Sequence, residues 1–246
     1  MPLIEKLIWD TNFFEINIGR CVIDDERNFD PIKFQEEAKH NYDLVYVFSY
    51  QNMLSLNKAS VANLDLVDIM VTMSMPFRED RYSDKGFDFR TNLTKNELNG
   101  CYDIAEQTSM VSRFYNDPLI GPEKAKALYR KWVDNALNNS FSDGILLTKS
   151  DEIVTGLHII KTVHSEKTGF CSLIGVNKNY KGTGIGKNLW EQALGYWALH
   201  ADITKCKVPF SIKNTESFNF HLKIGFNKIE EIKYIYHYRN NTNTDK

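Results

Sequence analysis

Long apolar runs are missing from this sequence. The longest uncharged stretch, residues 44–57, is 14 residues long and includes Ser, Gln and Asn, whereas a membrane-spanning helix needs about 20 mostly apolar residues. No membrane span is expected. A secretory leader is not expected either, because Glu5, Lys6 and Asp10 fall where its apolar stretch belongs. Cysteine is scarce: Cys21, Cys101, Cys171 and Cys206 stand 80, 70 and 35 residues apart. Those spacings form neither a pair of metal ligands nor a small disulfide framework, so a reducing, cytoplasmic setting and no metal site are the expectation. His40, His158, His164, His200 and His237 add no close pairing of the kind metals use. An excess of charge is also lacking, since 30 Lys and Arg face 32 Asp and Glu for a net charge of −2. That balance argues against a protein that coats nucleic acid, whose affinity comes from neutralised phosphates.

What is present suits a packed core. The chain has 246 residues, 42% of them apolar, with 15 Phe, 12 Tyr and 4 Trp. This length allows one large domain or two small ones. Residues 7–9 and 16–23 are β-rich, 31–42 suit a short helix opened by Pro31, and 44–49 and 69–75 read as strands. Residues 78–90 then carry eight charges in thirteen positions, which marks either a domain boundary or a surface loop. We therefore expect an N-terminal α/β lobe over 1–90 and a second domain over 96–239. Residues 240–246 are wholly polar and read as a frayed tail.

The second domain reads as helices at 96–110 and 122–139, strands at 144–149, 153–163 and 169–176, a helix at 184–200, a strand at 204–213, a short helix at 215–223 and a last strand at 228–239. In the second helix Ala127, Tyr129, Trp132, Val133, Ala136 and Leu137 form a plausible apolar side. In 204–213, Cys206, Val208, Phe210 and Ile212 alternate with polar neighbours. The order is that of an α/β (α+β) fold with antiparallel strands leading in.

One stretch carries most of the chemistry. A strand runs into a loop with Gly182, Gly184 and Gly186, and a helix follows at once. Amides at a helix start are unpaired and partly positive, and glycine lets an anion approach the backbone. Lys181 and Lys187 flank the turn, and the first acid after it is Glu191, although helices favour acids in their first turn. The dinucleotide fingerprint fails because Lys187 stands where its third glycine belongs. A P-loop fails at Lys181 and Asn188. A structural Gly-rich turn remains the plain alternative.

Lys181-Gly182-Thr183-Gly184-Ile185-Gly186 resembles the pyrophosphate loop of the Gcn5-related N-acetyltransferases, Arg/Gln-x-x-Gly-x-Gly/Ala. Downstream, Asn214-x-x-Ser217-x-x-Phe220-His221-x-Lys223-x-Gly225-Phe226 is similar to that family's second signature. The resemblance covers 96–239. It implies a mixed central sheet with two splayed strands, flanked by helices, and acetyl-CoA as co-substrate. Gly175 then permits a bulge that frees backbone groups, and Pro209 limits pairing in the neighbouring strand. Ile174 and Val176 are expected against the pantetheine arm. Lys181, Gly182, Thr183, Gly184, Ile185, Gly186 and Lys187 are expected around the pyrophosphate. Asn214 reads both as a pantetheine contact and as a helix cap.

The whole chain also resembles a narrower group, the dTDP-fucosamine acetyltransferase type. The similar features are Trp9-Asp10-Thr11-Asn12-Phe13-Phe14, Ser112-Arg113-Phe114 followed by the Trp132 helix, and a Tyr/His-rich last strand ending at Arg239. This resemblance implies acetyl transfer to a dTDP-4-amino-4,6-dideoxyhexose used in cell-surface polysaccharide, with Arg113 and Phe114 lining the acceptor cleft. Trp9, Phe13 and Phe14 by themselves read as core aromatics. Where the family commonly has a tyrosine acid this chain has His221, which serves as the acid, favours a helix C-terminus or simply packs. A different acceptor amine, a non-catalytic acetyl-CoA module and a homodimer stay open.

Overall fold

The computed structural model describes residues 4–50, 52–82, 84, 86–138 and 141–240. The expected tail thus lies outside the described residues except for Asn240. In chain order the elements are β1 (Glu5–Lys6), α1 (Ile8–Phe14), β2 (Ile18–Ile23), α2 (Pro31–Asn41), β3 (Leu44–Tyr50), α3 (Leu56–Val61), β4 (Leu64–Pro76) and β5 (Phe89–Arg90). They continue with α4 (Lys95–Ser109), α5 (Gly121–Leu137), β6 (Gly144–Ser150), β7 (Ile153–Val163), β8 (Thr168–Val176), α6 (Ile185–His200), β9 (Lys205–Ser211), α7 (Thr215–Ile224) and β10 (Lys228–Arg239). Parallel and antiparallel pairings both occur, so the sheet is mixed, with helices against it: an α/β architecture as expected.

The chain divides into two compact units: Met1–Val71 with Phe210–Thr215 and Glu230–Lys246, and Thr72–Pro209 with Glu216–Ile229. The charged run at 78–90 falls inside the second unit, where Phe87 and Phe89 pack on Tyr196 of α6. The end of β10 falls in the first.

In the first unit the strand order is β1-β2-β3-β10-β4. β2 runs parallel to β3 from Ile18↔Leu44 to Ile23↔Ser49, and β10 runs antiparallel to β3 from Lys233↔Tyr50 to Arg239↔Leu44. Alternate residues Cys21, Ile23, Val45, Val47, Tyr236 and Tyr238 share one buried cluster with Phe34 and Ala38 of α2, the period-2 facing of strands meeting one helix stripe. α2 starts where Asp30 Oδ1 accepts the Ile32 and Lys33 amides, with Pro31 at the first helical position. Residues 7–9 do not form the expected strand. Ile8 and Trp9 enter α1, whose burial of Phe14 outweighs their β preference. Trp9 stacks on Phe13 at 4.9 Å and is 46% exposed, so of the three aromatics Phe14 alone is core.

In the second unit the order is β9-β8-β7-β6-β5. α4 opens with a capping box, in which Thr94 Oγ1 accepts the Glu97 amide and the Glu97 carboxylate accepts the Thr94 amide. α5 buries Ala125, Leu128, Tyr129, Val133 and Ala136, while Ala127 is exposed and Trp132 lies half-buried on Tyr129. The buried stripe is thus rotated slightly from the one expected.

Two irregularities in the strands decide which helix each residue meets. Between Ile159↔Leu173 and Ile160↔Cys171 the register slips, leaving Ser172 as an extra residue in β8. Between Thr148↔Gly156 and Lys149↔Val154 it slips again, leaving Thr155 extra in β7. An extra residue reverses the alternation of faces beyond it. Gly169 accordingly faces Trp197 of α6, whereas Gly175, six residues on, faces Ile104 and Thr108 of α4. In β7, Gly156 faces Ile185 and Leu189 of α6 while Val154 meets Gly100 of α4. The bulge expected at Gly175 therefore lies at Ser172, and Gly175 is required for the close approach of α4. A Cβ there would sit 2.5 Å from Ile104 Cγ2 and 2.9 Å from Thr108 Oγ1. We expect Gly175→Ala to lower stability by roughly 1–3 kcal/mol through overpacking, read as a lower urea midpoint with unchanged m.

Candidate active site

The site is built where β8 and β9 begin to part. Their parallel ladder runs through Thr168↔Lys205, Gly169↔Cys206 and Phe170↔Lys207. β8 continues to Val176 on β7 alone, with Ile174 opposite His158 and Val176 opposite Gly156. Pro209, near the end of β9, has no N–H to restore the ladder. This is the expected splay.

Beyond Val176 the chain turns through a single 3₁₀ turn, Lys178–Tyr180, into the glycine loop. Its conformation is fixed from several sides. The Asn177 amide donates to the Thr155 carbonyl at 2.9 Å, at the residue the β7 bulge leaves out of the ladder. Asn177 Oδ1 accepts the Asn179 amide, and its carbonyl accepts the Tyr180 amide at 2.8 Å. The Lys178 amide donates to Gln107 Oε1 of α4 at 3.0 Å, and the Thr183 hydroxyl donates to the Tyr180 carbonyl at 2.6 Å. Lys181 Nζ pairs with Glu216 of α7 at 2.9 Å. Both partners of that pair are exposed, so it orients more than it stabilises.

Gly182 and Gly184 have φ of +79° and +89°, and a Cβ on either would meet nothing within 4 Å. Gly184 caps α6 without any side-chain hydrogen bond, and the first turn of α6 holds no acid. The first bond into the helix runs from the Asn188 amide to the Gly184 carbonyl at 3.0 Å. The amides before it, of Ile185, Gly186 and Lys187, have no place in the helical ladder. Helix polarity, two glycines without side chains and flanking Lys181 and Lys187 together suit a diphosphate. Gly186 serves packing, with Phe220 of α7 3.0 Å from where its Cβ would lie. Lys187 reaches Glu191 at 3.7 Å.

His221 is buried in α7, its ring edge-on to Trp190, Phe220 and Phe226. Nδ1 lies 2.8 Å from the Ser217 carbonyl, which only accepts, so Nδ1 carries the proton and Nε2 the lone pair. Burial lowers its pKa to about 4. A neutral ring in this tautomer takes a proton at Nε2 rather than giving one. The acid role expected for His221 needs the imidazolium, which burial disfavours at neutral pH. Trp190 also packs on His158, fully buried, with Nδ1 3.3 Å from the Leu189 carbonyl and a pKa lowered by burial to about 3.

Arg113 and Phe114 sit in the turns after α4, with the guanidinium 4.1 Å over the ring and Phe114 itself buried. Asn214 falls in the first compact unit, where its amide donates to the Ser211 carbonyl at 2.9 Å. Sequence reasoning missed Gln107, Thr155 and Glu216 as supports of the loop. Each is distant in sequence from it, and only the bulge at Thr155 has any local cause.

A family model, "Acetyltransferase (GNAT) family", matches residues 101–226, just over half of the chain, and the chain belongs to that family. It is therefore an acyl-CoA-dependent N-acetyltransferase that uses acetyl-CoA as co-substrate, and the loop's open glycines and unladdered amides fit that ligand. No curated protein sequence matches it significantly. Among solved structures it is similar to a functionally unknown conserved protein from Staphylococcus epidermidis, with TM-score 0.60, 11% identity and coverage of 91% of this chain and 84% of that one. A tandem GNAT protein from the clavulanic acid biosynthesis pathway gives TM-score 0.54 at 11% identity, covering 91% and 75%. A GCN5-related N-acetyltransferase from Kribbella flavida gives 0.52 at 9%, covering 89% and 80%. At these identities the likeness is one of fold. No helix among the described residues is long and apolar enough to cross a membrane.

Two of the buried histidines, His158 and His221, set an acid limit on stability. Each is neutral in the fold and binds a proton near pH 6.5 once unfolded, so stability is full above that value and declines as pH falls toward 4 and 3. At pH 5 each should have cost roughly 2 kcal/mol, at about 1.4 kcal/mol per unit. Glu97, held near 2 by Lys149 and the Thr94 amide, loses its contribution only below its ordinary 4.5 and so adds nothing to the change between pH 7 and 5. The melting temperature should fall steadily from pH 7 to 5, and His158→Phe should flatten that slope.

Proposed function

We propose that this enzyme moves acetyl from acetyl-CoA to the 4-amino group of a dTDP-4-amino-4,6-dideoxyhexose, a sugar destined for cell-surface polysaccharide. The observation that carries acetyl transfer is the Gly182–Gly184 cradle at the start of α6, beside the point where β8 leaves β9. The choice of acceptor rests on the likeness to the dTDP-fucosamine acetyltransferase type at Trp9–Phe14, Ser112–Phe114 and the last strand.

Acetyl-CoA supplies, when bound, an acetyl group on a thioester; the amine gains a C–N bond, the C–S bond breaks, and the amine's proton ends on the thiol. The chain's part is binding, placement and polarisation. Amides from Gly182 to Lys187 hold the diphosphate, aided by Lys181 and Lys187. Amides of β8 that point away from β7, up to Ile174 and Val176, hold the pantetheine arm and polarise the acetyl carbonyl. Ser112, Arg113 and Phe114 frame the acceptor. Holding both substrates in one cleft accounts for much of the rate. His221, neutral and held by Ser217, positions α7 through the rings packed around it, and the departing thiolate takes the proton released by the attacking nitrogen by way of solvent.

Three measurements test this reading. Purified protein is incubated with acetyl-CoA and a panel of dTDP-aminosugars, with aminoglycoside and peptide amines alongside, and released thiol is followed. Release specific to the 4-aminosugars is expected, and turnover of only the other amines refutes the acceptor. With the true acceptor, kcat/KM should rise with pH as the amine deprotonates. A fall in rate between pH 4 and 6 as pH rises would instead mark His221 as the acid. Gly184→Val, at a φ only glycine adopts with ease and with its Cβ in the cradle, should weaken CoA binding by at least about tenfold in calorimetry.

A further inference from the structure

The loop that holds the diphosphate owes its position to a residue outside both sequence signatures. We infer that Gln107, in the last full turn of α4, is a positioning residue for CoA binding: its side-chain oxygen fixes the 3₁₀ turn from which the glycine loop departs. This inference rests on the cofactor assignment and not on the identity of the acceptor.

Four observations support it. First, Gln107 Oε1 accepts the Lys178 amide at 3.0 Å, from 71 residues away in sequence. The orientation of this amide is unambiguous, because an N–H donor must face the oxygen of the side chain. Second, the neighbouring turn of α4 is already held against the same strand end. Ile104 and Thr108 lie on Gly175, so α4 gives Gln107 a rigid base one helical turn wide. Third, the next anchor of the loop is backbone to backbone, Asn177 to Thr155, and does not depend on a side chain. The other side-chain anchor from outside the loop segment, Lys181 to Glu216, is an exposed ion pair and is screened by salt. Among these anchors, the one from Gln107 is both neutral and aimed at the 3₁₀ turn. Fourth, α4 leads directly into turns where the Arg113 guanidinium lies over the buried Phe114 ring, so the helix end that bears Gln107 is held by packing on its far side too.

Without the Gln107 oxygen the Lys178 amide turns to water, and the 3₁₀ turn is free to tilt. The amides from Gly182 to Lys187 then have to be ordered when the diphosphate arrives, which lowers affinity without removing any group that touches the ligand. A neutral hydrogen bond of ordinary strength corresponds to about a three- to tenfold loss.

The test compares Gln107→Leu with Gln107→Glu, which keeps the stem and an acceptor oxygen. CoA itself is the probe, titrated by calorimetry into the full chain, with the melting temperature of each ligand-free protein measured alongside. Amide hydrogen exchange reports Lys178 directly. The inference expects Gln107→Leu to bind CoA about three- to tenfold more weakly at an unchanged ligand-free melting temperature, with faster exchange at Lys178. Gln107→Glu should bind within about twofold of the original. Equal affinity in the Leu variant, or loss in Leu and Glu alike, overturns the inference. If Gln107→Leu does not fold, Gln107→Lys, which keeps the stem without an acceptor, takes its place against Gln107→Glu. Absence of CoA binding by the unsubstituted protein would instead remove the cofactor assignment, a result separable from any difference between variants.

Discussion

Everything in the second unit serves one requirement: a row of backbone amides at the start of α6 has to remain without carbonyl partners yet stay in place. A helix start ordinarily solves its unpaired donors with a side-chain cap. Gly184 cannot do so, and no carboxylate in the first turn replaces it. The donors are kept for an anion, so the rigidity that a cap would have provided has to come from outside the loop. It comes from the Thr155 carbonyl, the Gln107 side chain and the Glu216 carboxylate, three groups on three different elements.

The strand irregularities meet the same need. Ser172 and Thr155 are each one residue too many for a regular ladder. The first turns the end of β8 toward α4 and lets it leave β9. The second leaves out of the ladder the residue whose carbonyl receives the loop. With both strands regular, Gly175 would face α6, and the loop would start from the wrong side of the sheet.

Much of this was legible from residues alone. Pro31, Pro122, the Gly184 start and the alternation of β9 mark their elements to within a residue or two, because each acts locally. The pyrophosphate loop is legible because its chemistry is carried by glycines in a fixed pattern. α1 was not, since Ile8 and Trp9 prefer strands and only the burial of Phe14 makes them helical. α3, six residues long, is too short to show a helical period. The bulge was placed three residues late, because a glycine is equally suited to bulging and to close packing. At Gly175 the second use prevails. His221 shows a further limit. Its position in the motif suggested an acid, but its protonation state follows from a carbonyl one turn back and from three rings around it.

The pairing of β10 with β3 brings together residues 233–239 and 44–50, which are far apart in sequence. A ribosome making this chain releases β2, β3 and α2 long before Tyr236 and Tyr238, which complete their core, have been translated. Until then β3 lacks its antiparallel partner, although α2 is already available to cover the shared face. A nascent chain stalled before residue 228 would display an unfinished sheet edge, which is the kind of surface that chaperones hold and that aggregation exploits.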